Sequence, residues 1–141
     1  MRKLWSTLII LMVLSLSVSA QSIVGKWKTI DDETGKPKSV VEIYEKGGKY
    51  YGKIVELLLR KDDPKCDQCT DDRKNKKILG MEIIREMKEN KTEYSDGTIL
   101  DPNNGRVYDC KIWIEKDKPD VLLLRGYIAF FYRTQNWERV K

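Results

Sequence analysis

Two cysteines separated by two residues, Cys66 and Cys69, carry the most distinctive chemical spacing in the chain. A redox pair would need a helix N-terminus in a βαβ setting, and the polar sequence around them predicts neither. A zinc site needs four ligands, so Cys110 and loop acids would have to complete the set. In an exported protein the pattern favours a disulfide. Either Cys110 pairs with one of the two, or Cys66 pairs with Cys69 and Cys110 is left as a buried thiol.

Histidine is absent from the chain, which removes the commonest general base and the commonest metal ligand. A Ser-His or Cys-His nucleophile is therefore excluded. The acidic runs at 31–33, 62–63 and 71–72 lie in polar turns, where we expect their carboxylates to be solvated. The segment 101–105 is interpreted as a β-turn, because it lacks the downstream glutamate of a calcium loop. We predict no catalytic residue, no metal and no cofactor.

The last predicted strand places cations and apolar side chains on one face. A period of two collects Phe131, Arg133, Gln135, Trp137 and Arg139 on that face. If it looks into the fold, each guanidinium needs a carboxylate partner or a solvated cavity. Glu42 and Glu56 are the candidate internal partners, and pairing of Arg133 at the rim is the alternative. The candidate ligand-binding residues are Arg133, Gln135, Phe131 and Glu42.

Tryptophan and arginine near the two ends of the chain indicate how the fold closes. Gly25 and Trp27 begin the first predicted strand, and Trp137 and Arg139 end the last one. In a closed antiparallel barrel the first and last strands are neighbours. We therefore expect the Arg139 guanidinium to stack on the Trp27 ring at a closed end.

Short apolar or alternating runs separated by Gly, Asn and Pro turns predict an all-β fold. The expected strands lie near 23–30, 38–46, 49–58, 78–87, 91–95, 97–100, 106–116, 120–128 and 131–140. Two of them are expected to form one bent strand, which gives about eight. A helix at 53–60 is the alternative to the third strand. Within 106–116 the even positions, Cys110 and Ile112 among them, are expected to face inward and Trp113 outward.

The first twenty residues have the features of a secretory signal peptide. Arg2 and Lys3 precede an apolar stretch, and small residues end it at Ala20. We expect cleavage after Ala20, a single domain over 21–141, and a periplasmic or secreted location with no later membrane segment.

The formal net charge of +5 includes Arg2 and Lys3. The one basic cluster, 73–77, lies beside acids and is interpreted as a solvated loop, so nucleic-acid binding is not predicted.

Several stretches together resemble one bacterial family. They are Gly25-Lys26-Trp27, 39–44, 51–54, 78–81, 97–102, 104–105, 125–127 and 133–139. The Gly-x-Trp and terminal Arg resemble the lipocalin and wider calycin pattern, and the whole chain resembles the family called domain of unknown function 2147. The resemblance implies a secreted, lipocalin-like, single up-and-down antiparallel barrel and no catalytic residues. Ala129 stands where family members often have glycine, a local departure in one loop.

The sequence thus favours a non-enzymatic exported barrel that binds a small, partly apolar ligand, because pockets of this kind combine apolar walls with a few polar groups. A fully packed barrel serving protein interaction or an envelope-stress response is the alternative, since about eight strands can be filled by side chains. A thiol-dependent enzyme is the third hypothesis. No protein partner is indicated.

Overall fold

The structure is a computed structural model that describes residues 22–141. Eight antiparallel strands follow one another in chain order and close into a barrel, as the sequence predicts. They are β1 (Gly25–Ile30), β2 (Pro37–Lys46), β3 (Lys49–Leu57), β4 (Glu82–Asn90), β5 (Glu93–Asp101), β6 (Arg106–Ile114), β7 (Val121–Ile128) and β8 (Phe131–Arg139). The predicted signal peptide and its cleavage site at Ala20 lie outside the described residues.

The strands expected near 91–95 and 97–100 are one strand, β5. Its register against β6 shifts between Tyr94 and Gly97, and Asp96 between them has a φ of 63°. An extra residue in a β-bulge bends a strand without ending it. The gap at residue 96 between the two expected strands is therefore this bulge, and the total of eight is confirmed.

Two further sequence expectations are corrected in their details. The segment at 53–60 forms no helix, because β3 continues to Leu57 between β2 and β4. The fourth strand begins at Glu82 rather than at 78. Residues 78–81 instead end the preceding loop, where the Ile54 N–H donates to the Met81 carbonyl at 2.9 Å and the Gly80 N–H to the Ile54 carbonyl at 2.7 Å.

The two ends of the barrel differ because the connections alternate between them. The short turns after β2, β4 and β6 share one end with the start of β1 and the end of β8. At this closed end the Trp27 Nε1 donates to the Ile23 carbonyl at 2.8 Å, and both side chains are fully buried. The opposite end, called the mouth, carries the connections 31–36, 58–81, 102–105 and 129–130.

Strand alternation fills the interior between these ends. Inward side chains with little or no exposure include Val41, Ile43, Ile84, Met87, Ile112 and Leu122. In β6 Cys110 and Ile112 are buried, as their even positions predict. Trp113 faces outward, where the Lys111 ammonium and the Arg125 guanidinium lie 5.4 and 5.2 Å from its ring centre. The outward indole is thus covered by cations of its own and the neighbouring strand.

Candidate functional site: an open cavity at the barrel mouth

A cavity of about 520 Å³ opens at the mouth. Its inner wall is apolar and is built from five strands: Ile54, Ile83, Leu100, Leu124 and Trp137. Each of these side chains is at most 5% exposed. The strands supply them because every second residue of a barrel strand points inward. Leu59, Pro64 and Ile78 of the connection 58–81 complete one side of the wall.

A row of polar groups joins the apolar wall to the rim along β8. The Trp137 Nε1 donates to the Gln135 side-chain oxygen at 3.2 Å, and the Gln135 amide donates to Asp32 Oδ2 at 2.6 Å. The Arg133 guanidinium forms an ion pair with the same carboxylate oxygen. Asp32, in the turn between β1 and β2, therefore links two residues of β8 across the closure of the barrel.

Three of the four predicted ligand-binding residues line the cavity: Phe131, Arg133 and Gln135. Glu42 does not. It lies half-buried on the outer side of β2 with its carboxylate 3.8 Å from the Lys53 ammonium, and Glu56 is exposed. The expectation of an internal Glu42 or Glu56 partner is corrected, since Asp32 pairs with Arg133 at the rim.

Sequence reasoning missed two polar residues of the rim, Asp32 and Lys38. The sequence predicts that Asp32 is a solvated turn acid, whereas in the structure it pairs with Arg133. Lys38 lines the same cavity at the start of β2, and within residues 22–141 it forms no ion pair. Deeper along the same pair of strands, the Thr29 and Ser39 hydroxyls are 2.7 Å apart. The hairpin register that aligns Thr29 with Ser39 was the available signal, because it places Lys38 beside the mouth.

The predicted closure residues meet at the opposite end. The Arg139 guanidinium carbon lies 4.2 Å from the Trp27 ring centre, and the two residues are Cα partners in the β1–β8 pairing. Gly25 has a φ of 136°, a conformation that favours glycine, and a Cβ there would lie 3.5 Å from Arg139 Nη1. Trp137, which was also expected at this closure, lines the cavity instead.

The connection 58–81 is held by a disulfide between Cys66 and Cys69, with 5.4 Å between their Cα atoms. This resolves the alternatives left open by the sequence and removes both thiols from metal binding or redox pairing with Cys110. Cys110 is a buried free cysteine. Burial raises the pKa of its thiol, so the nucleophilic thiolate is disfavoured. No group of three or more potential metal ligands occurs within residues 22–141.

Arg73 anchors the same connection from within, contrary to the expected solvated basic loop. Its side chain is 6% exposed, and its guanidinium bonds to Asp71 at 2.6 Å and to the Glu82 carbonyl at 2.9 Å. The hydrogen bonds from Arg73 lower the pKa of Asp71 to about 2. Asp72 pairs with Arg85 of β4 at 2.8 Å. The acids 71–72 are therefore structural partners that fix the connection to the barrel.

A tight contact joins this connection to the turn between β5 and β6. A Cβ on Gly105 would lie 1.9 Å from the Gln68 carbonyl oxygen and 2.7 Å from the Cys69 nitrogen. The disulfide segment therefore lies directly against a glycine with a φ of 73°. The two connections together form one side of the mouth, beside the cavity.

The closed eight-stranded barrel with an open cavity defines a lipocalin-like protein. A solved structure, described as protein HP1028 from the human pathogen Helicobacter pylori, which belongs to the lipocalin family, has the same fold. It matches with a TM-score of 0.74 and 18% identity, over 85% of this chain and 84% of that one. At that identity the likeness concerns the fold alone.

Residues 25–139 match the family described as uncharacterized protein conserved in bacteria, DUF2147. The chain belongs to this family, as the sequence resemblance predicts. No curated protein sequence matches it significantly. Across residues 22–141 the fold contains no helix of the length and apolarity required to span a membrane.

Proposed function

We propose that this protein is a non-enzymatic binding protein that holds a small amphiphile with an anionic head group in the mouth of the barrel. The observation that carries the proposal is the cavity of about 520 Å³, with its apolar inner wall and polar rim. Its volume falls within the roughly 300–1,000 Å³ typical of small-molecule sites. An apolar tail would lie against Ile54, Leu124 and Trp137, where it would be removed from water.

The polar rim favours a head group near Arg133 and Lys38. A carboxylate there would form charge-assisted hydrogen bonds with the guanidinium. Asp32 already occupies one position beside Arg133 and accepts from Gln135 as well. The head group would therefore compete with Asp32 for Arg133, whereas Lys38 has no competing ion pair among the described residues. This competition predicts moderate affinity that rises when the Asp32 charge is removed.

The cavity favours ligand binding over the packed-barrel alternative, because a filled interior would leave no such space below the rim. The thiol-enzyme hypothesis has less support. Cys66 and Cys69 are joined to each other, and Cys110 is 4% exposed with a raised pKa. A buried neutral thiol is a poor nucleophile and has no access to a substrate.

Titration of the delipidated, folded protein with a fluorescent fatty acid tests the proposal. Arg133→Leu should weaken binding by roughly 1.5–3 kcal/mol, the range for a hydrogen bond to a charged group. Its folding stability should change little, because the Arg133 and Asp32 side chains are 67% and 43% exposed. Asp32→Asn should tighten binding. Arg106→Leu is the matched control, since Arg106 is exposed at the same end but does not line the cavity.

Absence of saturable binding at micromolar ligand would count against this ligand class. Equal affinities of the Arg133→Leu and Arg106→Leu variants would instead remove Arg133 from the site. Native mass spectrometry of protein isolated from its own source provides a second measurement, because a reproducible added mass identifies a bound ligand directly.

A further inference from the structure

The most exposed apolar side chains of the described chain lie together at the turn between β7 and β8. Phe130 is 98% exposed, Phe131 78% and Ile128 49%. These three residues are called the apolar tip. Ile128 and Phe131 are a Cα pair, so the connection is a two-residue turn of Ala129 and Phe130. Aromatic side chains exposed to this degree contribute little to the core, and their clustering indicates a contact with an apolar partner.

A layer of aromatic residues lies directly behind the tip on the outside of the barrel. The ring centres of Tyr127 and Tyr132 are 6.3 Å apart. The Arg125 guanidinium lies 4.4 Å from the Tyr132 ring centre and 5.2 Å from that of Trp113. Tyr and Trp combine an apolar ring with a polar group and are enriched where hydrocarbon meets water. From the turn toward the body of the barrel, the apolar tip is therefore followed by an interfacial aromatic layer.

The charge of this hairpin is one-sided. Between Asp120 and Glu138 the sequence contains Arg125 and Arg133 and no acidic residue. Arg133 is compensated by Asp32 at the mouth, but Arg125 donates to the Thr134 hydroxyl at 2.9 Å and has no carboxylate partner among the described residues. A cation held in the aromatic layer is complementary to the phosphates of an anionic lipid surface.

We propose that the apolar tip inserts into the surface of an anionic phospholipid bilayer. A narrow, convex turn requires a partner that surrounds it, and lipid chains do so without a preformed pocket. The aromatic layer begins at Tyr132, two residues from Phe130, or about 7 Å along a strand. This distance agrees with the roughly 5–10 Å to which interfacial segments enter the boundary between headgroups and acyl chains.

Insertion would also orient the cavity. Ile128 and Phe131 of the tip line the mouth as well as being exposed. A docked barrel would therefore open toward the bilayer and take up an amphiphile directly from it. Only this consequence rests on the proposed function, because docking itself requires no ligand.

Flotation with vesicles of phosphatidylcholine and phosphatidylglycerol, in a ratio of about 7 to 3, tests docking without ligand. All versions are expressed from the full chain, and mass spectrometry establishes that they share one N-terminus. Loss of the apolar tip in Phe130→Ser/Phe131→Ser should lower vesicle binding at least about tenfold. The control Val24→Ser/Val140→Ser removes two exposed apolar side chains at the closed end and should bind like the wild type. Phosphatidylcholine alone should bind less.

Insertion at the tip itself is measured with Phe130→Trp and bromine-labelled lipids. Tryptophan fluorescence of this variant should be quenched more strongly than that of the wild type, because the wild-type signal comes only from the tryptophans already present. Equal flotation of the tip variant and the wild type, with no additional quenching, would overturn the proposal. A second result would also overturn it. If the folded wild type did not float and was a dimer, whereas the tip variant was a monomer, the tip would contact a second copy of the chain. Fatty-acid binding in solution by Phe130→Ser, which leaves the cavity-lining Phe131 in place, keeps this result separate from the proposed function.

Discussion

The Arg139 guanidinium carbon lies 4.2 Å from the centre of the Trp27 ring, although the two residues are far apart in the amino-acid sequence. Arg139 also donates to the Pro119 carbonyl at 3.1 Å and lies 3.4 Å from Asp120. The last strand is thus fixed to the first by a cation–π contact and to the turn before β7 by polar bonds. These contacts close the end of the barrel opposite the mouth.

Trp27→Ala should lower the free energy of unfolding by about 3–5 kcal/mol, because it leaves a large cavity. Arg139→Ala should cost about 1–2 kcal/mol through loss of stacking. The double variant should cost less than both together, because the two side chains interact. Denaturant unfolding of the four proteins measures the coupling. Asp120→Asn, made in the wild type and in Trp27→Ala, controls for the ion pair between Asp120 and Arg139. Strict additivity of the Trp27 and Arg139 substitutions would show that the cation–π contact contributes no stability.

Gly105→Ala should destabilise the protein more than Gly35→Ala. Both glycines have a φ near 70°, so both substitutions strain the backbone. A Cβ at Gly35 meets nothing within 4 Å, whereas at Gly105 it meets the Gln68 carbonyl. We expect the additional cost at Gly105 to be about 1–3 kcal/mol, as for overpacking. Thermal unfolding compares the two variants. Equal losses of stability would mean that the disulfide segment moves away from the added Cβ at no cost in free energy.

The Arg73–Asp71 pair should make stability depend on acid pH. The pKa of Asp71 is lowered from 3.8 to about 2 in the folded protein, so its ionised form stabilises the fold. This contribution is complete above about pH 4 and is lost as the pH falls through 2. Asp71→Asn should therefore be less stable than the wild type at neutral pH, with a difference that shrinks below pH 4.

Urea unfolding between pH 6 and pH 2 measures this dependence. Asp117→Asn, in an exposed turn at the closed end, should retain the wild-type profile. A difference between Asp71→Asn and the wild type that stays constant down to pH 2 would contradict the assignment of this pair.

Ala129→Gly should stabilise the turn between β7 and β8. Ala129 has a φ of 49°, and a positive φ at the first central residue is typical of a type II′ turn, where glycine is preferred. Relief of this strain should exceed the added flexibility of the unfolded chain, for a net gain of up to about 1 kcal/mol. A lower unfolding temperature for this variant would contradict the expectation, and Phe130→Gly at the next position provides the control without a positive φ.

Alternation and turn chemistry predicted about eight strands and the inward face of β6, and they grouped alternate residues of β8 on one face. Inward and outward positions follow from a period of two, which is a local property of each strand. The hairpin at Gly47 and Gly48 was equally local, because a two-residue turn sets the register of both strands. The bulge at Asp96 was the limit of this reasoning, since an extra residue is recognised only against the partner strand.

The partners of the polar side chains were decided by the tertiary structure alone. Barrel closure places the turn carrying Asp32 beside Arg133, and the folding of a long connection buries Arg73 and pairs Cys66 with Cys69. Asp32 and Arg133 are far apart along the chain, and for the neighbours Cys66 and Cys69 the sequence left Cys110 as an alternative partner. The sequence by itself determined which side chains face the interior, because that depends on neighbours two residues away. Which carboxylate meets which cation depends on the register of the closed sheet and on the conformation of its longest connection, and both are properties of the whole barrel.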